Sequence, residues 1–138
     1  MIPLATLPCQ VTYSVAAPGW EAEISQAVGT ISLLSGITFT LSDDAALHFV
    51  ERDDLPVNGV HALAWSLPGE IAVSPTEGYE TFQPKQRRAI VMHELMHQLG
   101  IGHNSEPDSI MNVAVDVYRL SLRDAARIGA AGARCVAS

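Results

Sequence analysis

The chain has 138 residues, 48% of them hydrophobic and 17% charged, which fits one compact domain over residues 1–138 with a core of its own. The formal net charge of −7 argues against the Lys/Arg stripes that a phosphate backbone needs, so no nucleic-acid partner is expected. No apolar run approaches the roughly 20 residues of a membrane helix, so no membrane partner is expected either, and the expected state is a monomer.

The first residues, Met1 to Pro8, lack the basic start and long apolar centre of a signal peptide. Either a leader is missing from this sequence or export takes another route. Cys9 and Cys135 lie one near each end, without the paired spacing of a zinc ribbon. Two readings stay open. A disulfide joining the termini would imply an oxidising, extracellular location; otherwise these are two unrelated thiols.

From Gln10 the chain alternates, with Val11, Tyr13 and Val15 on one face of a predicted strand. Pro18-Gly19 breaks it. Ile24, Ala27, Val28, Ile31 and Leu34 then recur at helical spacing between about Trp20 and Leu34, and Gly36 is a stop signal. Ile37, Phe39 and Leu41 predict a second strand, and Leu47, Phe49 and Glu51 a third, with a turn at Ser42-Asp43-Asp44 between them. Strand, long helix and strand suggest a βαβ unit. The polar stretch from Arg52 to Asn58 reads as a loop, in which Asp53 and Asp54 are solvated charges; a calcium site would need further oxygen ligands. Gly59 to Trp65 predicts a strand, Pro68-Gly69 a turn, and Glu70 to Ser74 a returning strand. The expected fold is α/β (α+β), with a twisted, mostly parallel sheet of four or five strands, an antiparallel edge strand and about three helices.

Pro84 suits the first turn of a helix whose exposed start is Lys85, Gln86, Arg87 and Arg88. Further along, His93-Glu94-Leu95-Met96-His97-Gln98-Leu99-Gly100-Ile101-Gly102-His103 has the form H-E-x-x-H-x-x-G-x-x-H. On a helix, His93 and His97 project one turn apart from the same face, close enough for both imidazoles to reach one zinc ion. Glu94 lies about 100° further round, where it borders the ion as a general base instead of sharing the ligand face. Gly100 accepts the left-handed conformation that ends a helix, and the reversal brings back His103 as third ligand. Three histidines leave a fourth position open, as in a catalytic site. Val91, Met92, Leu95 and Leu99 face the opposite way and are predicted core, and Met96 is read as packing. After the turn-rich segment Asn104 to Ser109, Ser121-Leu122-Arg123-Asp124 has the S-x-x-D form of a helix start. Leu122, Ala125, Ala126 and Ile128 predict a short final helix that stops at Gly129 or Gly132.

The long histidine motif, followed eight residues after His103 by Met111 in Ser109-Ile110-Met111-Asn112, resembles that of metzincin zinc metallopeptidases, and the spacing resembles their matrixin branch. The resemblance implies a methionine turn beneath the metal at Met111, and an edge strand Gly59-Val60-His61-Ala62-Leu63-Ala64 along which an extended substrate adds its backbone. Matrixins often carry a second, structural zinc with a histidine at the place that Leu63 takes here, so one catalytic zinc is expected; His48 and His61 are read as ordinary strand histidines. Asn104 departs from the residue that follows the third histidine in matrixins (Ser or Thr) and in adamalysin-like enzymes (Asp). Tyr118 is read as packing, and Asn112 to Tyr118 as the wall of the specificity pocket. Cys9 lacks the context of a latency cysteine, so a form active without maturation, or a trimmed one, is expected. The reading is a zinc-dependent endopeptidase acting on protein or peptide substrates, with Glu94 as base and His93, His97 and His103 as ligands. The alternative is a catalytically silent zinc domain that binds peptides or only stiffens the fold.

Overall fold

A computed structural model of the chain describes residues 7–53, 64–74 and 83–137. In chain order the elements are β1 (Gln10–Ala16), α1 (Glu21–Ser35), β2 (Thr38–Leu41), β3 (Leu47–Glu51), β4 (Ala64–Leu67), β5 (Glu70–Val73), α2 (Pro84–Gln98) and α3 (Leu122–Ala133). The sheet runs β2-β1-β3-β5-β4. Its first four strands are parallel, and β4 pairs antiparallel with β5 at the edge. The fold is therefore the expected one, a five-stranded, mostly parallel sheet with an antiparallel edge and three helices.

α1 follows its apolar spacing. Ile24, Ala27, Val28 and Ile31 are buried, and Gly36 closes the helix at φ 76° with its amide on the Ser32 carbonyl. Trp20, fully buried, sits just before α1 and donates from Nε1 to the Ser74 carbonyl at 2.8 Å, which ties the helix start to the end of β5. Phe49, Ile71 and Val73 fill the sheet's contribution to the core, and Val91, Met92, Leu95, Met96 and Leu99 fill that of α2. Burying these side chains contributes about 1.5–3 kcal/mol each.

Three expectations change. Arg87 is not part of an exposed helix start: its guanidinium meets the buried Glu23 carboxylate of α1 at 2.8 Å. A long apolar stem lets Arg lie along a helix contact when a carboxylate receives its head. Gly129 and Gly132 do not end α3, which continues to Ala133. α3 crosses α1 there, and a Cβ on Gly132 would lie 1.8 Å from the Ser35 carbonyl oxygen. Leu122 does not join the apolar face; it is 91% exposed at the first turn.

β4 begins at Ala64 and runs to Leu67, past the predicted end at Trp65, and Gly69 turns the hairpin at φ 77°. Gly59, Val60, His61, Ala62 and Leu63 of the expected edge strand lie outside the described residues, as does Asp54. His48 is exposed on β3 and hydrogen-bonded to Ser14 of β1 at 2.7 Å.

The ends of the chain are joined. Cys9 and Cys135 form a disulfide, flanked by backbone hydrogen bonds from Cys9 to Val136 (3.1 Å) and from Val136 to Leu7 (2.7 Å). Closing so long a loop contributes about 4–5 kcal/mol in the chain-entropy account. It also leaves no free thiol at Cys9. No helix among the described residues is long and apolar enough to cross a membrane.

Candidate metal centre

The site is built by one helix and the reversal that follows it. α2 starts at Pro84 with a reciprocal pair of hydrogen bonds between Gln83 and Gln86. It ends in a Schellman motif: Gly100, at φ 85°, donates to the His97 carbonyl at 2.9 Å, and Ile101 donates to that of Met96 at 3.0 Å. The left-handed glycine turns the chain back over the last helical turn and delivers His103 to the face that carries His93 and His97.

The three Nε2 atoms converge. His97 lies 3.2 Å from His93 and 3.0 Å from His103, and His93 lies 3.2 Å from His103. A tetrahedral ion with imidazole bonds of about 2.0–2.1 Å places its ligand nitrogens about 3.3–3.4 Å apart, so the triangle fits a transition-metal ion with small adjustment. The outer nitrogens are committed elsewhere. His93 donates from Nδ1 to the Ile110 carbonyl at 2.9 Å, and His97 from Nδ1 to the Ile101 carbonyl at 2.9 Å. With Nδ1 protonated, the Nε2 lone pairs of both point inwards. Lone pairs at this separation repel unless a cation or a proton lies among them. Burial lowers the His97 pKa; the Ile101 hydrogen bond opposes this and the charge of His103 adds to it. The neutral imidazole that a metal needs is thereby favoured. An all-imidazole donor set suits zinc, and among the described residues His93, His97 and His103 form a group able to hold an ion.

Glu94 follows His93 on α2. Its side chain is buried, and burial raises its pKa from 4.5 to about 7. A carboxyl poised near neutrality both accepts and releases a proton readily.

Met111 is fully buried in the turn beyond the reversal, and its carbonyl accepts the Asn104 amide at 3.4 Å. Asn104 also reaches Ser109 Oγ from Nδ2, at 2.9 Å. The residue that departed from the family pattern thus braces the same turn. Tyr118 lies against the start of α2, accepting from Gln86 at 3.2 Å beneath the Lys85 ammonium, in keeping with a packing role.

Asp124 was read only as a helix cap. It makes that cap with Ser121, but its carboxylate is fully buried and reaches further. It accepts from Ser109 Oγ at 2.7 Å and from the Ile110 amide at 2.9 Å. The Ile110 carbonyl is the one that holds His93. The S-x-x-D pattern located this carboxylate, but no local signal gives partners 14 and 15 residues away. Gln98 is a second case. Buried at the end of α2, it donates to Ser66 Oγ and the Leu67 carbonyl of β4, both at 2.6 Å. The edge hairpin is thereby tied to the helix that carries the histidines.

No protein-family model matches the sequence, and no curated protein is similar to it. Among solved structures, the chain is similar to a zinc-dependent peptidase from Methanocorpusculum labreanum (strain Z), with a TM-score of 0.53 and 10% identity over 85% of this chain and 98% of that one. At that identity the likeness establishes a shared fold. The five-stranded sheet and three helices described above are an arrangement shared with that structure, and within it three histidines form a group able to bind a metal.

Proposed function

We propose that the protein is a zinc-dependent endopeptidase of metzincin type, closest to the matrixin-like branch. The observation that carries this reading is the convergence of three Nε2 atoms at 3.0–3.2 Å, with Nδ1 of His93 and of His97 held on backbone carbonyls. His93, His97 and His103 would hold one zinc ion, which supplies a Lewis acid that polarises the scissile carbonyl and lowers the pKa of water. Glu94 is the general base. Its carboxylate takes a proton from the attacking water as the water oxygen bonds to the carbonyl carbon. It then passes that proton to the amide nitrogen as the C–N bond breaks. Burial raises its pKa, which favours release of the proton in the second transfer. No covalent acyl-enzyme is required.

Among the described residues β4 has a strand neighbour on one side, β5, and Gln98 holds this hairpin against α2. An extended peptide would add to that edge as a further strand. A substrate laid along an open edge extends both ways from the metal, which favours internal bonds over terminal ones. The proposed partner is a protein or peptide chain, the proposed state a monomer, and the proposed location an oxidising, extracellular one, in keeping with the disulfide.

The test is cleavage-site profiling on a mixed peptide library, with elemental analysis of the purified protein. Internal cleavage with one zinc per chain is expected. One zinc per chain without cleavage would turn the reading to a silent peptide-binding or structural domain. Two tightly held zinc ions would overturn the single-ion assignment, with His48 and His61 the first suspects.

A further inference from the structure

Beside His103 a groove of about 300 Å³ runs between residues 100–104 and the exposed flank of α3. From α3 it is lined by Arg127, Ala130, Ala131 and Arg134. Their spacing of three, four and seven residues makes one stripe on the helix, with the two guanidinium-bearing positions about 10 Å apart along its axis. Between them the floor is two methyl groups. The opposite wall includes Gly102, where an added Cβ would meet no heavy atom within 4 Å. The groove is thus open and small-residue-lined in the middle, with a basic residue at either end.

The two arginines differ. Arg127 is engaged by Glu106 in a two-point ion pair and by Asp124 at 3.4 Å. Arg134 is exposed and has no ion pair or side-chain hydrogen bond among the described residues. The chain as a whole carries 15 acidic and 8 basic residues; with Arg127 neutralised by its two carboxylates, Arg134 is the uncompensated cation on this groove among the described residues. His103, a proposed zinc ligand, forms part of the same wall. Anything lying in the groove therefore lies next to the metal centre.

We infer that this groove is a carboxylate subsite for the peptide substrate, in which Arg134 pairs with an acidic side chain close to the cleaved bond on the His103 side. The inference rests on the peptidase reading and adds a substrate class to it. The alanine floor receives the aliphatic stem of a glutamate, and the guanidinium receives its head in the paired geometry that Arg favours. Because Arg134 is exposed, the attraction is partly screened. Its effect is a preference and not a requirement.

The test uses the zinc-loaded full chain and pairs of peptides that differ only by Glu or Gln, with the substitution scanned across both sides of the cleaved bond. At one position the Glu peptide is expected to have a KM lower by about three- to tenfold, a gap that shrinks in about 0.5 M salt. The Glu/Gln ratio within each variant is the readout, so changes in overall activity cancel. Arg134→Lys should keep the preference, Arg134→Glu should abolish or reverse it, and Ala130→Trp, which fills the groove, should abolish it. Equal KM values for every pair, or a preference that Arg134→Glu leaves intact, would overturn the inference. A second measurement needs no turnover. In the metal-free full chain, the backbone amide resonances of Gly102, Ala130 and Arg134 should move on titration with the Glu peptide and not with its Gln counterpart. That result would support the subsite even if no peptide were cleaved, in which case the peptidase reading alone would fail. No movement, or the same movement with acetate at equal concentration, would overturn the subsite and leave the peptidase reading to its own test.

Discussion

α2 and α3 are helices of similar length, 15 and 12 residues, and both support the three-histidine cluster, by different means. α2 contributes its own side chains: His93 and His97 share one face, Glu94 lies about 100° round from them and is buried, and Val91, Leu95 and Leu99 fill the core on the far side. α3 offers no ligand. It works at a distance, through Asp124, which holds Ser109 and Ile110, whose carbonyl in turn holds His93. Each helix also uses a glycine, in opposite senses. Gly100 ends α2 because only its backbone freedom allows φ 85°. Gly132 lies inside α3 because its missing Cβ leaves room for the Ser35 carbonyl. A residue that acts through its own neighbours in sequence and one that acts through a neighbour in space impose different requirements on the chain.

The largest expected effects lie on α2. Glu94→Ala should retain zinc and lose peptide hydrolysis by at least about 10²–10⁴-fold, since water loses its proton acceptor. His97→Ala should lose zinc and activity together, because two imidazoles hold the ion poorly. Steady-state cleavage assays with zinc analysis on the same preparations separate the two roles. Near-normal cleavage by zinc-loaded Glu94→Ala protein would sink the base assignment. Loss of zinc from that variant would make Glu94 a ligand or a structural prop.

On α3 the corresponding variant should act on stability first. Asp124→Ala strands the Ser109 hydroxyl and the Ile110 amide in a buried place. Unfolding by urea should show a loss of about 3 kcal/mol. Zinc affinity should fall as well, by about tenfold, because outer partners orient the ligands. If Asp124→Ala weakened zinc binding with no change in stability, or the reverse, the link from α3 to His93 would be broken at the Ile110 carbonyl.

The same contrast explains what could be read from the chain. The histidine cluster was legible because its signals fall within eleven residues, His93 to His103, and because helical geometry converts spacing directly into a shared face. The strands were legible from alternation, whereas their order in the sheet depends on pairings between distant segments. Arg87 was misread because its partner, Glu23, is 64 residues away, and nothing in a run of four polar residues marks which one turns inwards. α3 was read as too short because glycine in a helix ordinarily signals a stop. Here a contact with the end of α1 makes glycine necessary at that point. Asp124 and Gln98 show the same limit: a polar residue at a helix end has an evident local use, and its longer reach depends on the fold.

Gly132→Ala should cost more than its helix propensity returns. Alanine gains about 1 kcal/mol over glycine within a helix, but a Cβ placed 1.8 Å from the Ser35 oxygen forces α1 and α3 apart. Overpacking of this kind costs typically about 1–3 kcal/mol, and a clash with backbone falls towards the upper end. A net loss of about 1–2 kcal/mol in thermal or urea unfolding is expected, with little change in activity per folded molecule. A stabilised Gly132→Ala protein would mean that the two helices have slack at this crossing.

A stability effect no larger than that is expected at Gly100, and its dependence on side chain distinguishes it from Gly132. Gly100→Ala places a Cβ in the left-handed region, which costs about 1–2 kcal/mol for an ordinary residue. Asparagine tolerates that region better than alanine because its short polar side chain finds local hydrogen bonds. Gly100→Asn should therefore recover part of the loss. At Gly132 the order should reverse, since the constraint there is space and asparagine is larger than alanine. Urea unfolding of the four variants, Ala and Asn at each position, reads the two orders directly. The Gly100 variants should also weaken zinc binding, because the turn that positions His103 hangs on this residue, whereas the Gly132 variants should not. If alanine and asparagine rank alike at both positions, the two glycines are under the same constraint, and the difference between the backbone reversal after α2 and the close crossing of α3 is lost.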